Sequence, residues 1–114
     1  MKINEITIIE KPWGREIWLA VENEYVGKIL EVKKGARLSL QYHKKKKETI
    51  YILEGKMKLI HKDGELILDE GSITIEPGDH HRVEALEDLK LIEVSTPHLD
   101  DIVRLHDDYG RCND

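Results

Sequence analysis

Cysteine is almost missing from this 114-residue chain: Cys112 stands alone in a polar tail. One thiol excludes an internal disulfide and a cysteine-built zinc knot. Long apolar runs are missing too, because charged residues make up 36% of the sequence and interrupt every hydrophobic stretch. Nothing approaches the roughly 20 apolar residues that span a bilayer, so no membrane association is expected. The opening Met1-Lys2-Ile3-Asn4-Glu5 lacks the basic and apolar regions of a secretory signal, and a cytoplasmic location is expected. Basic excess is absent: the net charge is −5, with the Lys44–Lys47 run offset by acidic stretches such as Glu84–Asp88 and Asp107-Asp108. A nucleic-acid partner is therefore not expected, whereas a small phosphorylated ligand is compatible with this balance. Helical periodicity of useful length is lacking before Pro97.

What is present is a succession of short extended segments within a length suited to a single domain over residues 1–114. Ile6–Ile9 reads as a strand broken by Lys11-Pro12-Trp13-Gly14, and Glu16–Val21 and Tyr25–Val32 follow as two more. Trp13 and Trp18 are expected to cover an end of the core rather than to form a ligand platform. Beyond Lys33-Lys34-Gly35 come further strands punctuated at Glu54-Gly55, Asp63-Gly64, Asp69-Glu70-Gly71 and Glu76-Pro77-Gly78-Asp79. About eight to ten short strands with close turns indicate an all-β barrel or sandwich. The tail from His98 to Asp114 is predicted as a short helix or an irregular arm lying over the barrel.

Chemistry gathers in the stretch Gly35–Glu48. Strand alternation predicts Arg37, Ser39, Gln41 and His43 on one face, and Leu38, Leu40 and Tyr42 on the other. The four lysines are expected to form a solvated turn closing a hairpin with Glu48–Leu53. That would make His43 and Glu48 cross-strand neighbours, with Gln41 one pleat further back. In His81–Ala85, alternation sets His81, Val83 and Ala85 inward and Arg82 and Glu84 outward, so His81 is the expected fourth metal ligand beside the candidates Gln41, His43 and Glu48; His80 belongs to the turn. Such a polar inward face needs a lumen, which favours a jelly-roll barrel. Arg37, on the same predicted face, is a candidate phosphate clamp. The outward side, with Leu38, Leu40, Tyr42, Tyr51 and Leu53, is too apolar to leave in water, and a homodimer is expected.

The spacing resembles the two motifs of the cupins. The first runs Gly35, five residues, Gln41, Tyr42, His43, four lysines, Glu48, six residues, Gly55; the second runs Gly71, five residues, Pro77-Gly78, then His81. Around the proline turn there is one residue fewer than usual, and Ala85 stands where an asparagine is common. Glutamine at the first ligand position is similar to the zinc-dependent mannose-6-phosphate isomerases of that superfamily, in particular to the domain at the C-terminus of bifunctional guanylyltransferase/isomerase proteins. Lys11-Pro12-Trp13-Gly14, Gly35–Gln41, Asp100–Arg104 and Asp107–Arg111 are the other matching stretches.

The resemblance implies a cupin double-stranded β-helix with Gln41, His43, Glu48 and His81 holding a divalent metal. Zinc is the first expectation, and other cupins use iron or manganese. It also implies substrate contacts from Lys28 and Arg104 beside Arg37, and isomerisation of mannose 6-phosphate and fructose 6-phosphate through an enediol. The catalytic base stays unassigned. No guanylyltransferase activity is carried over, since the matching stretches include none of that half. The competing expectations are a sugar-binding cupin without turnover and an iron dioxygenase, against which the neutral amide of Gln41 argues.

Overall fold

The computed structural model describes residues 1–112 and contains eleven strands. These are β1 Thr7–Lys11, β2 Gly14–Val21, β3 Val26–Val32, β4 Leu40–Tyr42, β5 Glu48–Glu54, β6 Met57–His61, β7 Gly64–Leu68, β8 Ser72–Ile75, β9 His81–Ala85, β10 Leu89–Ser95 and β11 Val103–His106. They form two antiparallel sheets, one in the order β1-β2-β3-β10-β5-β8 and the other β11-β4-β9-β6-β7. No helix occurs among the described residues, and none is long and apolar enough to cross a membrane.

Alternation decides what lies between the sheets. Along β3, Val26, Lys28, Leu30 and Val32 are buried, and along β10 so are Leu89, Leu91, Glu93 and Ser95. The inner faces divide lengthwise into an apolar end and a polar end. At the first, Leu30, Ile52 and Leu91 are in register and pack with Met57, Leu59, Val83 and Ala85 of the facing sheet. Each such side chain contributes about 1.5–3 kcal/mol when fully buried, so this end is a solid plug. Trp13, 2% exposed, belongs to it, in agreement with the expected covering role. At Gly55 the backbone passes so close to β10 that a Cβ would lie 2.2 Å from the Asp88 carbonyl oxygen, and φ is +96°. Only glycine fits there.

Three expectations about the Gly35–Glu48 stretch are corrected. First, β4 and β5 do not form a hairpin, because they belong to different sheets. The lysine segment crosses between them, and its amides find partners in the tail. Asp101 accepts hydrogen bonds from the Lys44, Lys45 and Lys46 N–H groups at 3.0, 2.6 and 2.9 Å. Second, alternation fails between Arg37 and Gln41. Arg37 lies opposite Glu84 while Gln41 lies opposite His81, so four steps along one chain answer three along the other. That bulge turns Arg37 outward while Gln41 faces inward, and it lets Leu38 pack against the core. Third, the expected apolar outer face is split between the sheets: Tyr51 and Leu53 are exposed on the six-stranded sheet, while Tyr42 stacks on His80 at 5.0 Å.

The tail contributes a strand rather than a helix. β11 pairs with β4 and covers that edge of the five-stranded sheet. Asp108 fastens the chain just beyond β11, accepting hydrogen bonds from Arg37 and, at 2.8 Å, from Arg82. The hydrogen bond from Arg37 first, then Arg82, holds the Asp108 carboxyl down at about 2. Since this lies below its ordinary 3.8, the stabilisation is present above that value and fades as pH falls toward 2. Asp108 is a third exposed, so the effect is local and modest. Asp108→Asn is expected to speed hydrogen exchange of the β11 amides about 3- to 10-fold at neutral pH, leaving β3 and β10 unchanged. Uniform acceleration across both sheets would contradict this.

Candidate metal centre

The polar end of the interior encloses a cavity of ≈ 460 Å³. Gln41 on β4, His43 just beyond it, Glu48 opening β5 and His81 opening β9 all line it and are buried. Ligand atoms of His43, Glu48 and His81 lie within 4.8 Å of one another. The Nε2 atoms of both imidazoles are 3.3 Å from Glu48 Oε1.

The outer nitrogens determine what these groups present to each other. His43 Nδ1 faces the Asp101 carbonyl oxygen and His81 Nδ1 lies 2.9 Å from the Asp79 carbonyl oxygen. A carbonyl only accepts, so each Nδ1 carries a proton and each Nε2 is the atom that either donates to the carboxylate or, through its lone pair, holds a metal ion. Two imidazole nitrogens and a carboxylate oxygen thus converge on one point. Such a cluster requires positive charge at its centre, either a metal ion or additional protons. Gln41 suits the same set: its Nε2 donates to Ser39 Oγ at 3.1 Å, leaving the amide oxygen as the group available to a cation. Neutral imidazoles with oxygen donors fit a borderline divalent ion.

Sequence reasoning missed part of this environment. Lys46, expected in a solvated turn, is buried at 6% exposure and turns inward, with Nζ 3.3 Å from Glu48 Oε2 and 3.1 Å from Glu93 Oε2. Glu48 therefore uses one oxygen toward the imidazoles and the other toward an ammonium. Burial works against ionising Glu48, yet hydrogen bonds from His43 and His81 and the charge of Lys46 outweigh it, holding its carboxyl well below the ordinary range. Burial, followed by the neighbouring Glu48 charge, pushes Glu93 up to about 7. Alternation along β10 marks Glu93 as inward, but four consecutive lysines carry no signal of which one turns in.

The predicted substrate contacts separate. Lys28 is buried in the cavity, 3.1 Å from Glu16, with Nζ 5.0 Å from the centre of the Trp18 ring, so its charge is already met. Arg104 lines the cavity opposite Gln41, and its buried Nε has no hydrogen-bond partner among the described residues. Arg37 is not on the cavity wall. It faces outward to Asp108 and Glu84 because of the bulge before β4.

Two antiparallel sheets, plugged with apolar side chains at one end and carrying two imidazoles and a carboxylate in a cavity at the other, define a cupin. Solved structures agree on the fold. KdgF from Halomonas sp. superposes with a TM-score of 0.75 at 16% identity, over 85% of this chain and 89% of that one. An RmlC-like cupin from Shewanella frigidimarina NCIMB 400 gives 0.76 at 18%, over 84% and 87%. Within this class the chain belongs to the family described as mannose-6-phosphate isomerase C-terminal, which matches residues 2–107. Relatives include the xanthan biosynthesis protein XanB of Xanthomonas campestris pv. campestris strain B100, 35% identical over 109 residues, and a mannose-1-phosphate guanylyltransferase of Klebsiella pneumoniae, 33% identical over 111. These alignments cover 90% and 91% of this chain but 23% of either relative.

Proposed function

We propose that the protein is a metal-dependent sugar-phosphate isomerase that interconverts mannose 6-phosphate and fructose 6-phosphate through an enediol. The observation that carries this is the meeting, in one cavity, of an acceptor cluster built for a divalent ion and an arginine with an unspent buried donor. Membership of the isomerase family supports it. Gln41, His43, Glu48 and His81 would hold the ion, with zinc the expected metal. When bound, it stabilises the negative charge that develops on the sugar oxygens as a carbon-bound proton leaves.

Arg104 would pair with the phosphate, with Lys11 as the other unpaired cation on the cavity wall among the described residues: Lys28 and Lys46 are matched by Glu16 and Glu93, and Arg111 by Asp107. The Lys28–Glu16 pair, with the Trp18 indole donating to Glu16 at 2.9 Å, forms a fixed polar wall for sugar hydroxyls. The cytoplasm, where phosphorylated sugars are made and used, is the matching location.

A coupled isomerase assay on zinc-loaded protein tests the proposal. Arg104→Met is expected to lower kcat/KM by about 10- to 100-fold, chiefly through KM, because a charge-assisted phosphate contact is lost. Failure of the zinc-loaded chain to turn over either sugar phosphate would reject the isomerase. Thermal stabilisation by sugar phosphates without turnover would then mark a binding cupin, and co-purifying iron with oxygen uptake a dioxygenase.

A further inference from the structure

The two imidazoles of the metal centre are held by unlike means. His81 Nδ1 lies 2.9 Å from the carbonyl oxygen of Asp79, two residues back, so its own turn sets its ring. His43 depends on a distant partner, because its Nδ1 faces the carbonyl oxygen of Asp101, 58 residues on. Asp101 belongs to the segment that runs from Thr96 to β11 beside the lysine turn. At one end of this seam the Lys47 N–H donates to Thr96 Oγ1 at 3.1 Å and the Thr96 N–H donates to the Lys47 carbonyl oxygen at 3.0 Å; at the other, Val103 lies opposite Tyr42. The Asp101 carboxylate closes the middle. One oxygen accepts from the Lys44 N–H and the other from those of Lys45 and Lys46, three successive amides that form a nest for an anion.

We propose that Asp101 is a positioning residue of the metal centre, acting through His43 and Lys46. Its carboxylate pins residue 101 against the turn, and its N–H, donating to the His98 carbonyl oxygen at 3.3 Å, holds it from the other side. So pinned, its own carbonyl meets the edge of the His43 ring and keeps a proton on Nδ1, which leaves Nε2 for the metal. The same three hydrogen bonds set the backbone of the turn from which the buried Lys46 enters the cavity to reach Glu48 and Glu93. One side chain outside the ligand set thus aims one ligand and the ammonium beside another. Its hydrogen-bonding pattern does this rather than its charge. Two carboxylate oxygens match three N–H donors, whereas an amide has one oxygen and turns its own N–H groups toward a donor, and a glutamate is one methylene too long for this nest. The inference rests on the metal reading of the His43, Glu48 and His81 cluster and not on the isomerase.

Two measurements test it: zinc affinity by competition with a chelator, and solvent exchange of the His43 Nδ1–H by heteronuclear NMR of the zinc-loaded chain. Asp101→Ala is expected to bind zinc about 10- to 30-fold more weakly, as befits loss of a group that orients a ligand. Its His43 Nδ1–H should exchange about 10-fold faster, while the His81 Nδ1–H, held by the Asp79 carbonyl, keeps its wild-type rate. Asp101→Asn retains an acceptor for the Lys45 and Lys46 amides and is expected to recover most of the affinity; Asp101→Glu retains only the charge and should recover little. Glutamate restoring zinc binding better than asparagine would show that the carboxylate acts through its charge, and would overturn the inference. So would wild-type zinc affinity in Asp101→Ala, or exchange accelerated equally at His43 and His81, the mark of general loosening. A wild type that takes up no zinc would reject the metal reading itself, and the inference with it.

Discussion

Glu48→Gln protein is expected to bind zinc about 100-fold more weakly than the wild type while keeping its fold. The carboxylate is the hub of the centre: one oxygen lies 3.3 Å from both imidazole Nε2 atoms and the other 3.3 Å from the Lys46 ammonium. Glutamine preserves its volume and its hydrogen-bonding reach but removes the only negative charge among the four proposed ligands. Lys46 retains Glu93 at 3.1 Å, so the substitution leaves no buried ammonium alone. Apo-protein stability should therefore change by no more than about 1 kcal/mol. Competition with a chromophoric chelator measures the affinity, and urea unfolding of the apo-protein controls for fold. Wild-type zinc affinity in Glu48→Gln would remove Glu48 from the proposed ligand set.

How much of this is legible in the sequence depends on which signals are local. Strand alternation rests on nearest neighbours, so the inward faces of Glu48, His81, Val83 and Ala85 can be read directly, and the all-β architecture comes from turn spacing. The meeting of His43, Glu48 and His81 is expected from the sequence for a reason that the fold replaces: they converge across two sheets rather than across a hairpin. Parity errors arise where a bulge intervenes. One additional residue between Arg37 and Gln41 inverts every side chain before it, and nothing in Gly35–Leu40 announces that insertion. The β11 strand escapes sequence reasoning because its pairing with β4 is supported by distant partners of the flanking Asp101 and Asp108, the Lys45 amide and Arg82, that no window of the tail contains. Lys46 escapes it for a related reason: its burial is fixed by Asp101 gripping the loop backbone from 55 residues away.

That buried lysine gives the second large effect. Lys46→Met is expected to destabilise the apo-protein by about 3 kcal/mol near pH 8, and by much less near pH 5. Removing the ammonium leaves Glu48 and Glu93 facing each other with no cation between them. A buried carboxylate in that position responds by taking up a proton, and pH decides whether one is supplied. In the wild type, burial first and Glu48 second already raise Glu93 from an ordinary 4.5 to about 7. Between those values the folded state holds a proton that the unfolded state has released, so stability falls as pH rises through the interval. Without Lys46 the Glu93 carboxyl moves higher still and the decline continues past 7. Glu48, held low partly by the same ammonium, loses stabilisation in the same direction. The deficit relative to wild type must therefore widen with rising pH. Lys46→Met combined with Glu93→Gln should recover most of it, because the opposite charges leave together and an isosteric amide takes the carboxylate's place. Urea unfolding of the three proteins at both pH values measures the effect. A deficit equal at both, or a double variant no more stable than the single, would mean that Lys46 fills space in the cavity instead of balancing its charge.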